Sequence, residues 1–563
     1  MANLHLKTMM WIFFLPIFEP RLFLKTETEP TGALKLQVTE RGLAYVKDVA
    51  LETLLSQLRE EKIQDQSNSY NEPLLGEVSL SFSNIKIKQV EVKDSEAEFA
   101  EETGIRLIIR NAQVVLSTNW KNKYWFGQDD GMVQININGL SLTALFGLDV
   151  DDGGRALVQY IGCVSNIPDV DFLGPKRQLY TWISQSLKMT LITDINQQVC
   201  PEFKKYVDRF SQYLRNRELW AQIDSVAAFD FSLVSKPEIT DDYGNLDFKG
   251  EFFSVQERER SPLRPTPILL PDGSHSMFVI GVSDFLVNSA AFVYFTGNMF
   301  RVKYTDKTIP KEVPFRLNTQ NVGSFFPELK RQFPESPMEL HLEARKEPKL
   351  HFHPEGLDVS ILGRAEAFVV LPDSSLVPVF TLSVDCDLTG QISLEAVRSG
   401  DSLAKVGGSL ALKDLRLSQE WSRIGEIKLF SLETLLKLAG HVALAGLNSE
   451  SGPTSPFSQG VHPSLWLELG APASWRPFFS LRTILPLFLG KLRAGKLLPN
   501  IYGASLVDPE VSMHEGYMLI KTDLQLPLPL QLPLPNPVLW VAGRADRVEE
   551  GGSKKREIPP SPA

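Results

Sequence analysis

Along much of the chain apolar and polar residues alternate, and the alternation repeatedly changes phase. In EVSLSFSNIKIKQVEVK, Val78, Leu80 and Phe82 share one parity, Ile85 and Ile87 take the other, and Val90 and Val92 shift back. GMVQININGLSLTALFGL behaves alike: Val133, Ile135 and Ile137 give way across Asn138-Gly139 to Leu140 and Leu142. Each slip would turn the apolar face outward unless a β-bulge corrected it. Long antiparallel strands with one apolar face, repeatedly bulged, predict a strongly curled sheet or barrel wrapped around a helix.

Helical periodicity is confined to a few long segments. RGLAYVKDVALETLLSQLREEK places Leu43, Val46, Ala50, Leu51, Leu54, Leu55 and Leu58 on one stripe, with Lys47, Glu52 and Gln57 opposite. A second helical region runs from about Lys176 to Trp220 and a third from Leu429 to Leu447. Strands before and after each helix, without regular alternation, favour an α+β fold over a parallel α/β one. The run HSMFVIGVSDFLVNSAAFVYF, His275 to Phe295, has the length of a bilayer crossing. Asp284 at its centre would cost about 2.5–3.5 kcal/mol on insertion scales. The run therefore reads as a buried strand that turns at Ser283-Asp284, both helix-capping residue types, into a short helix.

Punctuation divides the chain. Lys7 followed by MMWIFFLPIF, Met9 to Phe18, has the form of a secretory signal, so residues 1–30 read as a signal peptide and lead, and the protein as secreted and extracellular. No A-x-A cleavage pattern follows. SPLRPTPILLPDG, Ser261 to Gly273, should run extended as a semi-rigid linker between a first half, 31–260, and a second, 274–525. Asn448 to Ser464 and the proline-rich tail, 526–563, offer little periodic apolar face and are expected to be disordered.

Composition narrows the classes. With 563 residues, 43% hydrophobic and 22% charged, the chain can bury more than one core, and its net charge of −10 argues against nucleic acid as a partner. IGVSDF lacks the second glycine of a nucleophile elbow, which leaves Ser283 as a cap. His351 and His353 in HFH share a strand face without a third ligand at recognisable spacing. DVDDGG, Asp149 to Gly154, is not a calcium loop and reads as a turn. Neither a Walker A sequence nor a dinucleotide fingerprint is present. These readings predict no catalytic residue, no metal and no cofactor, hence no enzyme. Of three cysteines, Cys386 alternates inward with Phe380, Leu382, Val384 and Leu388 as a small hydrophobe, leaving Cys163 and Cys200 as the remaining pair.

Several long segments in order carry a family resemblance: GALKLQVTERGLAYV from Gly32, IDSVAAFDFSLVSKPEIT, MFVIGVSDFLVNSAAFVYF, TIPKEVPFRLNTQNVGSFFPEL and FVVLPDSSLVPVFTLSV. The chain resembles the bactericidal permeability-increasing and lipopolysaccharide-binding protein family, relatives of the plasma lipid transfer proteins. The match spans about Thr31 to Leu444 and resumes around LPLFLGKLRAGKLLPNIYGASL as far as about Asp523. The resemblance implies a boomerang of two elongated barrels, each a twisted antiparallel sheet around a long helix, joined by a central sheet. It implies a disulfide between Cys163 and Cys200, and in each half an apolar pocket for phospholipid acyl chains. Leu43, Val46, Leu51 and Leu54 are the candidate lining of the first pocket.

Some members of that family bind lipopolysaccharide through a basic tip of the first barrel. NWKNKYWFGQDDG stands at the matching place, with Lys121 and Lys123 as headgroup candidates and Asp129 and Asp130 close behind. Between Arg21 and Gly250, however, 25 Lys and Arg face 33 Asp and Glu, a net charge of −8, where a lipid A binder should be basic. Two functions follow. One is a secreted innate-defence protein that holds phospholipid and engages lipopolysaccharide or the bacterial outer membrane surface; the alternative is a lipid carrier or transfer protein without that specificity. Salt dependence of binding to anionic lipid separates them.

Overall fold

The computed structural model describes residues 31–526 apart from 61–64, 73–75, 125–126, 175–176, 258, 309–315, 325, 397–401, 449–495 and 500–503. The signal segment, nearly all of the 448–464 insertion and the tail past Leu526 lie outside the described residues. The first half runs β1 (Leu34–Thr39), α1 (Glu40–Glu60), β2 (Gln66–Glu72), β3 (Gly76–Glu91), β4 (Asp94–Ala100), β5 (Gly104–Tyr124), β6 (Gly127–Val150), β7 (Ala156–Asn166), β8 (Asp169–Leu173), α2 (Arg177–Arg215), β9 (Trp220–Gln222), β10 (Ala227–Asp230), β11 (Glu238–Ile239), β12 (Tyr243–Phe248) and β13 (Glu251–Ser254). The second runs β14 (Phe278–Ser283), α3 (Asp284–Thr296), β15 (Arg301–Thr305), α4 (Thr319–Val322), α5 (Pro327–Gln332), β16 (Met338–Ala344), β17 (Lys349–His353), β18 (Gly356–Val370), β19 (Leu376–Glu395), β20 (Ser402–Ser422), α6 (Leu429–Asn448), β21 (Lys496–Pro499), β22 (Ser505–His514) and β23 (Tyr517–Gln525).

The phase slips are bulges. On β3, register shifts between Ser83 and Lys86 and between Ile87 and Gln89 keep Val78, Leu80, Ile85, Ile87 and Val90 on one buried face. Asn84, at the first of them, takes a left-handed φ of 51°. On β6, Gly139 with φ 73° carries the apolar face from Ile137 to Leu142. The resulting sheet, β2-β3-β5-β6-β7, holds α1 and α2 against its apolar face, where Ile195 of α2 joins Leu116, Ile135 and Val170. A second sheet, β15-β16-β18-β19-β20-β21, packs on α6. Neither sheet closes among the described residues, so the expected barrels are open curled sheets: the terminal strands of each order do not pair with one another.

A third sheet, β11-β12-β1-β14-β23-β22, joins the halves. β1 lies between β12 of the first half and β14 of the second, with Leu36 opposite Leu246 on one side and Ile280 on the other. The segment read as strand-turn-helix folds so: β14 ends at Ser283, whose hydroxyl accepts the Phe285 N–H at 3.2 Å and caps α3. Among the described residues no helix is long and apolar enough to cross a membrane. Residues 261–273 run without regular secondary structure, anchored by Ile268, which is 2% exposed and packs with Val279, Tyr517 and Leu519.

One helix is turned from its expected orientation. α1 buries Leu43, Val49 and Thr53, leaves Val46 42% exposed, and lays Lys47 against β4, where its ammonium donates to the Ser95 carbonyl at 2.8 Å. The apolar stripe is wider than the contact surface, and the position of β4, with Phe99 packed on Leu43, selects which part is covered.

Candidate functional site

The second half contains an apolar cavity of about 360 Å³ between its curled sheet and α6. Period-2 alternation on β19 sends Phe380, Leu382, Val384, Cys386 and Leu388 into it. From α6, Leu432, Leu436, Gly440 and Leu444, spaced by four, present one helix face. β18 contributes Ile361, Gly363, Ala365 and Ala367. The empty space follows from these small residues: where Gly363, Ala365 and Ala367 face inward and Gly440 faces back, larger side chains would meet and fill it. A phenyl pair at 5.1 Å, Phe326 and Phe380, stands at one end, and Leu388, Leu412 and Leu444 cluster at the other.

Charges reaching the cavity margin are all engaged. Arg364 donates to Glu420 at 3.0 Å and pairs with Glu343 at 3.5 Å. Glu339 pairs with Lys303 at 2.7 Å; burial works to raise its pKa, but hydrogen bonds from Lys303 and His341 outweigh that and hold it below the usual carboxylate range. Burial, with Asp387 and Asp414 nearby, pushes the Cys386 thiol up to about 12, so this cysteine is an apolar wall element and a poor nucleophile. The lining is almost wholly aliphatic and aromatic.

The residues singled out from sequence fall elsewhere. Leu43 packs into a cluster with Phe99 and Ile239, Leu51 and Leu54 are half-buried, and Val46 lies at the surface. Lys121 and Lys123 are exposed on the outer face of β5 near its turn into β6, opposite Asp130 and Gln128. Asn122 between them points inward and is 2% exposed. Cys163 of β7 is disulfide-bonded to Cys200 of α2 with Cα atoms 5.6 Å apart, and Cys386 is free. His351 and His353 gather no metal site among the described residues; His351 instead lies between Asp284 and Glu515. Asp151 in DVDDGG accepts the Gly153 and Arg155 N–H groups, a tight turn. The family resemblance implied a pocket in this half, but no lining residue was named for it from sequence, although GRAEA in β18, small at each inward position, is its visible trace.

Comparison with known proteins supplies the context. The N-terminal domain model of the LBP / BPI / CETP family matches residues 42–213 and its C-terminal domain model residues 221–447, together more than two thirds of the chain. The chain is 26% identical to the bactericidal permeability-increasing protein of Sebastes schlegelii over 495 residues, 87% of this chain and 95% of that one. It is 25% identical to the human lipopolysaccharide-binding protein over 517 residues, covering 91% and 98% of the two chains. A crystal structure of lipopolysaccharide binding protein superposes with a TM-score of 0.51 at 21% identity, covering 88% of this chain and 99% of that one, a likeness of fold.

Proposed function

This chain belongs to the LBP / BPI / CETP family, and on that premise we propose that it is a secreted lipid-binding protein that holds acyl chains in apolar pockets, engages bacterial lipopolysaccharide and catalyses no reaction. The observation that carries the reading is the cavity under α6, walled by aliphatic and aromatic side chains. Each methylene moved from water into such a space contributes about 0.8 kcal/mol, so hydrocarbon binds firmly there without a polar contact. The two curled sheets with their helices act as two lipid-holding lobes around the central sheet. Mass spectrometry of lipid extracted from the purified chain tests this: lipid should be recovered, and a chain that neither carries lipid nor takes it up sinks the proposal.

Lipopolysaccharide is the ligand suggested by the names of the relatives, and Lys121 and Lys123 are the contact groups proposed for it. Both are exposed on one face, two residues apart, and neither makes an ion pair among the described residues. Replacing both by Glu should weaken binding to lipopolysaccharide vesicles at low salt and leave copurified lipid unchanged. The net charge of −8 between Arg21 and Gly250 counts against lipopolysaccharide and is no handicap to the alternative, a lipid carrier without that specificity. Absence of any affinity of the native protein for those vesicles at low salt would leave that reading standing alone.

A further inference from the structure

We infer that the start of the proline-rich tail docks back on α1: Pro527 to Leu534, PLPLQLPL, lies along the apolar stripe that this helix turns to the surface and covers it. The stripe is Val46, Ala50 and Leu54, spaced by four on one helix face. Val46 is 42% exposed, Ala50 exposed and Leu54 half-buried, while Leu43 and Val49 on the other side of the helix are buried. Sheet topology delivers the tail to this place. β1 and β23 are both antiparallel to β14, hence parallel to each other, and Val38, Phe278 and Thr522 stand level across the three strands. Beyond that level β1 passes into α1 and β23 into the tail, so both leave the sheet at one end and in one direction. Two contacts keep them together as they leave. Arg41 of α1 pairs with Asp523, and one helical turn on, the Tyr45 hydroxyl accepts the Leu526 N–H at 2.8 Å, beside Val46 where the stripe begins.

The tail is chemically suited to lie on a helix. Alternating leucine and proline favours polyproline II, whose three faces are here all apolar apart from Gln531. Pro527, Pro529 and Pro533 have no N–H, so a helix that offers no backbone partner leaves few donors unpaired. The lengths agree: α1 from Tyr45 to Glu60 rises about 22 Å at 1.5 Å per residue, and Leu526 to Leu534 about 25 Å at 3.1 Å per residue. Composition alone predicts disorder for this segment, but the tether at Tyr45 holds it near the stripe at a roughly millimolar effective concentration. Prolines with φ already fixed lower the entropy lost on docking. Val46 and Leu54 are also candidate lining of the first pocket, so hydrocarbon on that face and the docked tail exclude one another.

Photo-cross-linking of the full-length chain, with Ala50 replaced by p-benzoylphenylalanine, tests the docking. Trypsin then releases the α1 peptide Asp48–Arg59 and the tail peptide Thr522–Arg544. These two should form the main cross-linked pair, within a monomer, and fragmentation should place the adduct between Pro527 and Leu534. Replacing Leu528, Leu530 and Leu532 by Glu should cut that product about ten-fold or more, since burying a single leucine contributes about 1.5–3 kcal/mol. A main product with a second copy, with bound lipid or with another part of the chain overturns the inference, as does an undiminished yield from the triple variant. No cross-link from Ala50, nor from Val46 when the label is moved there, shows the stripe open to water and overturns it equally.

Discussion

The imidazole of His351 lies 3.0 Å from the Asp284 carboxylate at the start of α3 and 2.9 Å from Glu515 in the turn between β22 and β23. Asp358, opposite it on β18, is held by Lys413 at 2.7 Å, and Lys349 and His353 flank it on β17. Burial works to lower the His351 pKa, but hydrogen bonds to Glu515 and Asp284 outweigh this and hold it above the ordinary histidine value. A raised folded-state pKa stabilises the fold fully below the unfolded value of about 6.5, and the effect is lost as pH rises through the folded value. His351→Gln should therefore reduce stability at pH 6 and much less at pH 9. With half of the side chain exposed, the deficit at pH 6 should be about 0.5–1 kcal/mol. Urea midpoints at the two pH values check it, and an equal deficit at both contradicts the bridge. Nothing in HFH predicted these partners, since Asp284 and Glu515 are distant in sequence from His351 and the chain fold alone brings them together.

At the scale of elements, α3 was legible because its start is local chemistry: a capping serine after a β-branched run. Ser283 is fully buried, and its hydroxyl takes the Phe285 N–H and lies 3.4 Å from the Gly516 carbonyl. Ser283→Ala should lower stability by about 1.5–2 kcal/mol, at the upper side of the range for cap loss because no water can replace the hydroxyl. A change within error in thermal unfolding would show that the cap is dispensable. α1 was legible as a helix but not in its rotation, because a leucine-rich stripe wider than its contact leaves the choice of face to β4. For β19 the sequence showed which residues point inward and not what they meet. Ala365→Leu adds volume to a space that is empty, so it should displace copurified lipid from the second half without the penalty of about 1–3 kcal/mol that overpacking a filled core imposes. Retention of lipid with a large loss of stability would mean that the space is not available to hydrocarbon.

Across the whole molecule, the halves are tied by the central sheet and by α3. Asn288 exchanges two hydrogen bonds of 2.8 Å with the Leu350 backbone of β17, Ser289 accepts the Phe252 N–H of β13 at 3.0 Å, and the Tyr294 hydroxyl donates to Asp224 at 2.7 Å. Burial, reinforced by Asp224, pushes the Tyr294 phenol up to about 12, so this bond persists across the neutral range. The disulfide works within one lobe, fixing α2 to the edge strand β7. Replacing Cys163 and Cys200 by Ala should cost roughly 3–4 kcal/mol in the chain-entropy account of a 37-residue separation. Peptide mapping without reduction should recover the Cys163–Cys200 pair with Cys386 free. Any disulfide to Cys386 would contradict both the pairing and its place in the cavity wall.

Periodicity, capping residues and bulge-forming slips are short-range properties, and from them the sequence alone determined the α+β class, the long curled strands, the strand-to-helix turn at Ser283 and the inward row that includes Cys386. Its ordered segments also sufficed to place the chain in its family. What the tertiary structure decided is where inward-facing surfaces touch. Leu43 and Val384 carry the same kind of signal in the sequence, yet one is packed solid against Phe99 and the other looks across an empty channel at α6. The difference lies in the distance between elements and in how little residues many positions away, such as Gly363 and Gly440, put into the gap, and alternation within a single strand contains no record of either.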